Sequence, residues 1–191
     1  MNPLIYKLSI RYGLLIGGIS AVFSIILYLV NPLLQFTNFV IPILSFVIVI
    51  ALLVVLALDV RKQTGGYWNF GQAFVSLITM SVLITVIGLL VSFIIMKFVD
   101  PTLPTKINDA MADVTSQRLE KLGMSQEDID KSTKMFTNGE FIAKLQPSIK
   151  NELVSFAGAI AFYAIIDLII AACVKKKQPM FSPVSDTETI E

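Results

Sequence analysis

The sequence predicts an all-α integral membrane protein with four transmembrane helices in two hairpins, and an extracytoplasmic helical insertion between helices three and four. Three observations carry that prediction. Hydrophobic residues make up 55% of the 191-residue chain and charged residues only 15%, whereas soluble domains carry about 25% charged residues. Four stretches, 12–30, 39–58, 74–96 and 153–174, are apolar around the whole helical circumference and hold no basic residue. Each approaches the roughly 20 residues a helix needs to cross about 30 Å of hydrocarbon. The one long polar stretch, 97–152, lies between the third and fourth of them.

The first stretch begins behind Lys7 and Arg11, as a secretory leader does. A leader's apolar run is typically about 7–15 residues and ends at a small-residue cleavage site. This run is longer and has no such site, so it reads as a retained helix. Asn31-Pro32 and Asp100-Pro101 follow the first and third spans. Proline disfavours helix in the residue before it, so both are stops. Their similarity reads as convergent stop chemistry rather than duplication.

Orientation follows from the basic residues that flank the spans in short loops. Lys7 and Arg11 precede the first span, Arg61 and Lys62 follow the second, and Lys175, Lys176 and Lys177 follow the fourth. The loop 31–38 has no basic residue. Both termini and the loop 59–73 are therefore expected in the cytoplasm, with 178–191 a disordered tail. Segment 97–152 mixes both charges and lies largely far from any span, so it carries little weight in that count.

Within 97–152, Ile107, Met111, Val114, Leu119 and Leu122 recur at helical spacing, and Gly123 suits a helix end. Ser125-Gln126-Glu127-Asp128 reads as a capping box for a second helix. Pro147 is expected as the first residue of the helix that enters the fourth span. The two helices of 97–152 form a hairpin whose apolar stripe is expected to rest on the membrane or on the protein's own outer loops, or else to dock a partner.

Charge excludes some functions. Fifteen basic and fourteen acidic residues nearly cancel, so no strong field draws nucleic acid. Histidine is absent and Cys173 stands alone, which removes the usual metal ligand and any internal disulfide. No phosphate-binding loop, nucleophile elbow, metal motif or cofactor motif appears. The expected partners are the lipid bilayer itself and, through helix packing, a second copy or another membrane protein.

Asp167 is the ionisable residue set deep within a span. A carboxylate at depth costs about 2.5–3.5 kcal/mol on insertion scales, so it should face protein or water. It shares a helix face with Ala157, Ala164 and Ala171, a packing seam by composition. Val174 is seven residues further on, about 10 Å by helical rise, which puts Asp167 in the inner third. Two readings stand: a structural one, as a neutral acid or an ion pair with Arg11, and a functional one, as a proton or cation site. Asp59, beside Arg61 and Lys62, reads as solvated or locally paired.

Small residues mark further seams. Gly13 and Gly17 form a GxxxG pattern that continues through Ser20, Ala21 and Ser24. Ser81, Thr85, Gly88 and Ser92 line one side of the third span. Packing inside the bundle is their expected use, and association between copies is the other.

The loop Gly65-Gly66-Tyr67-Trp68-Asn69-Phe70 is the most distinctive segment. Its glycines permit a sharp turn, Tyr67 and Trp68 suit the headgroup layer, and Asn69 with Gln72 has the offset of a capping pair. Here a family resemblance enters. Gly65-Gly66-Tyr67 followed by Phe70-Gly71-Gln72-Ala73-Phe74 resembles a segment of the bacterial membrane proteins called domain of unknown function 4199. Phe98-Val99-Asp100-Pro101 and Leu122-Gly123-Met124-Ser125 extend the likeness. The resemblance implies a small multi-pass protein of the bacterial inner membrane and supplies no catalytic or ligand residues.

The function these features point to is non-enzymatic and works through helix packing or association with partners. The alternative is a small transporter or channel component that uses Asp167 as an intramembrane proton or cation site. A membrane enzyme would have to rest on Asp59, Arg61, Lys62 and Asn69.

Overall fold

The computed structural model describes residues 3–176; Lys177 and the tail 178–191 lie outside the described residues. The described chain forms α1 (Pro3–Val30), α2 (Leu34–Thr37), α3 (Val40–Gln63) and α4 (Phe70–Ile94), the last running on into a π turn (Ile95–Val99). Then come α5 (Leu103–Lys121), α6 (Gln126–Thr137), α7 (Glu140–Leu145) and α8 (Ile149–Val174). Four helices are long and apolar enough to cross a membrane: α1, α3, α4 with its π turn, and α8. Each outruns its expected span, since helix hydrogen bonding continues where the apolar stretch stops. Thus α1 carries Lys7 and Arg11, and α3 carries Asp59, Arg61 and Lys62.

The two Asx-Pro stops share one geometry. Asn31 Oδ1 accepts from the backbone N–H of Leu33 (2.9 Å), and Asp100 Oδ1 accepts from that of Thr102 (3.1 Å). Each side chain turns the chain just past a span. Gly65, Gly66 and Gly123 take φ of +104°, +79° and +74°, a region glycine enters at no steric cost.

α4 is the hub. α1 lies along one flank and α8 along another, while α3 touches α1, α4 and α8 over shorter stretches. Gly13 and Gly17 explain the α1–α4 contact. A Cβ at Gly13 would stand 3.0 Å from Met80 Cα, and one at Gly17 would stand 2.5 Å from Ile87 Cδ1. Backbones approach this closely only across small residues. Gly88, expected in a packing seam, instead is exposed and would give a Cβ nothing within 4 Å. The alanine seam of α8 closes at one end only: Ala171 is buried, Ala164 half-buried and Ala157 exposed.

The apolar core sits in one half of the bundle. Its members are Ile5, Leu8 and Ile16 of α1, Leu53, Ala57 and Val60 of α3, Ala73, Leu77, Met80 and Ile84 of α4, and Ile170, Ala171 and Val174 of α8, with Trp68. That half carries the first and last described residues. At the opposite end α5 packs on α6 and α7 and also on α2. Leu103, Ile107, Ile129 and Phe136 are buried there, whereas Leu122, expected in the α5 stripe, is 77% exposed. Arg118 sits 3.6 Å above the Phe39 ring and donates to the Thr37 carbonyl (3.4 Å). The stripe's helix therefore packs on the chain's own α2, α6 and α7.

Two expected helix starts are refined. Ser125 Oγ accepts from Asp128 N (3.3 Å), but its hydroxyl donates to the Asp128 carboxylate (2.7 Å), so the cap is closed by side chains. α8 begins at Ile149 behind an N-cap Ser148, whose Oγ accepts from Asn151 N (3.2 Å). Pro147 therefore lies just outside the helix rather than at its first position.

Candidate functional site

Three features on different parts of the bundle could carry function. The first is the 65–70 loop. Asn69 and Gln72 form the expected capping box, with Asn69 Oδ1 accepting from Gln72 N (2.9 Å) and Gln72 Oε1 accepting from Asn69 N (3.0 Å). Trp68 departs from the expected headgroup anchor, being only 2% exposed. Its Nε1–H donates to the Val174 carbonyl (3.1 Å), and its backbone exchanges two 3.0 Å hydrogen bonds with Lys176. Arg61 Nη1 donates to the same Val174 carbonyl (2.7 Å). A helix C-terminus leaves carbonyls without partners, and here an indole and a guanidinium supply them. Tyr67 lies under Lys176, 5.3 Å from the ring centroid, and Phe70 stacks on Phe74. The loop is a clasp on the end of α8.

The second feature is a set of polar side chains within the packed half. The Tyr12 hydroxyl donates to Asp59, and Gln63 Nε2 donates to both Asp59 Oδ2 (2.6 Å) and Tyr12 Oη (2.8 Å). Asp59 is thus locally paired, across helices, with a phenol and an amide. Ser9 and Ser76, both buried, share a 2.7 Å hydrogen bond between α1 and α4. Neither pairing is readable from one sequence, because a serine inside an apolar run gives no sign of which helix it meets.

Asp167 is 0% exposed, and neither of its carboxylate oxygens has a hydrogen-bond partner. Arg11, the expected partner, is exposed and is not among the ion pairs. The group set beside Asp167 is the hydroxyl of Ser81 on α4, also 0% exposed and also without a hydrogen bond of normal geometry. Tyr163 lies one turn earlier on α8 and is half-buried.

The third feature is a cavity of about 660 Å³ in the other half of the bundle. α1 and α3 form its long walls, with Phe23, Leu27, Phe46 and Val49 among the apolar lining. The π turn contributes Ile95 and Met96, and Leu103 of α5 contributes at the insertion end. Ser20, Ser24, Tyr28, Gln35, Ser45, Ser92 and Tyr163 add polar groups, and every lining residue is uncharged. π turns within helices are frequent at functional sites. The cavity brings together Ser20, Ser24 and Ser92 of the expected seams, but as walls of a space rather than as helix contacts.

The sequence matches the family model described as "Protein of unknown function (DUF4199)" over residues 11–176. The chain belongs to this family. The match takes in most of α1, the whole of α3, α4 and α8, the 65–70 clasp and helices α5–α7. No curated protein and no solved structure matches the chain.

Proposed function

We propose that this family member is a non-enzymatic membrane protein that holds an uncharged, lipid-like molecule in the cavity between α1 and α3. The carrying observation is the cavity itself. Its volume of about 660 Å³ falls in the range of small-molecule sites, about 300–1,000 Å³. Its wall carries no carboxylate, amine, imidazole or thiol, so it offers a guest no ion pair and its hydroxyls no neighbouring base. It offers apolar side chains and hydroxyls, which match an acyl or isoprenoid-type chain with weakly polar groups. Such a guest reaches the site sideways from the bilayer, because the walls are membrane-spanning helices. The flanking basic residues favour both termini inside the cell, which would set the cavity in the outer half of the membrane.

Association with a partner keeps a narrower basis. Gly13 and Gly17 are occupied by α4, so a partner would meet the exposed apolar faces of α1 and α3 instead, where Ile26, Val47 and Val55 are half exposed or more.

The test uses the full chain in nanodiscs with a photoreactive diacyl lipid. Saturable labelling mapped to residues 19–28 and 41–52 is expected. Ser45→Trp, which fills the cavity, should abolish the saturable part while leaving the melting temperature unchanged. Labelling that never saturates, or that Ser45→Trp leaves intact, would overturn the proposal.

A further inference from the structure

We propose that the groove between α4 and α8 at the insertion end binds a zwitterionic aminophospholipid, with an acyl chain in the groove, the phosphate at Lys97 and the primary amine at Glu152. The groove measures about 300 Å³ and shares no lining residue with the cavity between α1 and α3. Val86, Leu89, Leu90 and Phe93 of α4 form one wall, and Leu153 and Phe156 of α8 form the other. It opens to the exterior of the bundle, since Leu90 and Leu153 are each more than half exposed. Into this apolar surface the first turn of α8 sets one carboxylate, the half-buried Glu152. One helical turn beyond Phe93, the exposed Lys97 holds its Nζ 5.1 Å from the centroid of the Phe93 ring. An anion and a cation thus flank one end of the same groove.

These two charges do not satisfy each other. The ion pairs among the described residues are Lys106–Asp100 and Lys131–Glu127. Asp100, the acid nearest Lys97 in the chain, is therefore taken by Lys106. Asn151, beside Glu152, turns its amide to the carbonyls of Ala143 and Gln146. A carboxylate in an apolar wall is costly unless a cation or a donor meets it. An ethanolamine-type head supplies both complements at once. Its phosphate meets the Lys97 ammonium, and its amine donates N–H to the Glu152 carboxylate. A choline head brings positive charge but no N–H, and an anionic head without an amine sets a second negative group against Glu152. Lys97 and Glu152 also stand within three residues of the ends of two spanning helices, Phe70–Val99 and Ile149–Val174. That is the level at which headgroups lie.

The walls argue against a helix as the occupant. Helices that associate in lipid approach across small residues, as α1 meets α4 through Gly13 and Gly17. No glycine, alanine or serine lines this groove, whereas a flexible acyl chain can follow bulky walls.

Native mass spectrometry of the full chain, with phospholipids of identical acyl chains added one at a time, tests the site. One phosphatidylethanolamine should bind saturably. Its affinity should exceed that of phosphatidylcholine and of phosphatidylglycerol by about tenfold, the ratio that one charge-assisted hydrogen bond supports. Glu152→Gln should erase the preference over phosphatidylcholine, Lys97→Gln should weaken all three lipids, and Leu90→Trp should remove the saturable lipid. Ser45→Trp should leave the preference intact, so that failure of this proposal and failure of the cavity reading are told apart. Equal binding of the three lipids, or a preference that persists in Glu152→Gln, would overturn the proposal. So would binding that Lys97→Gln or Leu90→Trp leaves unchanged, or a dimer that excludes lipid and that Leu90→Trp breaks, which would make a second copy the occupant.

Discussion

The two halves of the bundle are cut from the same four helices, yet one is packed and the other is open. In the half that carries the termini, α1 presents Gly13 and Gly17 to α4, and the buried residues Leu53, Ala57, Leu77 and Ala171 close the remaining space. Further along, α1 presents Ser20, Phe23, Ser24 and Leu27 to a cavity. In water such an apolar opening would be squeezed shut. Inside a bilayer, lipid tails are as apolar as leucine, so no hydrophobic force drives closure and only close packing brings helices together. The close approach to α4 lies at Gly13 and Gly17, whereas the small residues that follow, Ser20 and Ser24, line the cavity. The comparison teaches that in this protein the glycines set against α4, rather than apolarity or small size alone, mark where the bundle closes.

The strongest way to break the packed half is to remove its clasp. Trp68 is buried against the end of α8 and fixes the Val174 carbonyl. Trp68→Ala should destabilise the chain by about 3–5 kcal/mol, the usual cost of emptying a buried aromatic site. Thermal unfolding in nanodiscs would check it. If Trp68 were a headgroup anchor, as its position alone suggests, the loss would be within about 0.5 kcal/mol, typical of a surface position.

A pair of glycines sharpens the same comparison. Gly13→Ile drives a branched side chain onto Met80 Cα and Leu83, an overpacking that should cost about 3 kcal/mol. Gly88→Ala lies on the same bundle but meets nothing within 4 Å. It should stabilise by about 0.5–1 kcal/mol, the helical preference for alanine over glycine. Equal effects at the two positions would show that the packed interface is not the one described.

Helix existence was legible because 18 or more apolar residues have few alternatives in lipid, and caps such as Asn69–Gln72 act within four residues. Partners were not. The Arg11 assignment for Asp167 came from charge alone, and nothing in one sequence says that α8 turns Asp167 toward Ser81 on α4. The same gap hid the Tyr12–Asp59–Gln63 and Ser9–Ser76 pairings. Trp68 misled for a related reason: an indole near a span end suits lipid headgroups and a helix terminus equally well. The cavity is invisible to sequence altogether, since a residue that lines a void has the same composition as one that fills it.

The smallest predicted effect lies at the open half's corner, where α4 hands over to α5. Asp100 accepts from the Thr102 hydroxyl (2.6 Å) and from the Lys106 ammonium (2.8 Å). Lys106 first, and Thr102 after it, hold the Asp100 carboxyl below the usual carboxylate range. A carboxyl depressed in the folded state adds stability that is complete above its unfolded value near 4. That contribution fades as pH falls through the lower folded value, because the native state then has to take up the proton it disfavoured. The Lys106 side chain is 49% exposed, so solvent screening limits the pair to about 0.5 kcal/mol. Asp100→Asn should therefore lower the melting temperature slightly at pH 7, and the difference from wild type should shrink as the pH falls below 4. Because α5 reaches the cavity through Leu103, the same variant should loosen the insertion end while leaving the clasp at Trp68 intact. Hydrogen exchange that rises in α5 and stays unchanged in residues 68–77 would separate the two halves, whereas a uniform rise would mean that they unfold as one unit.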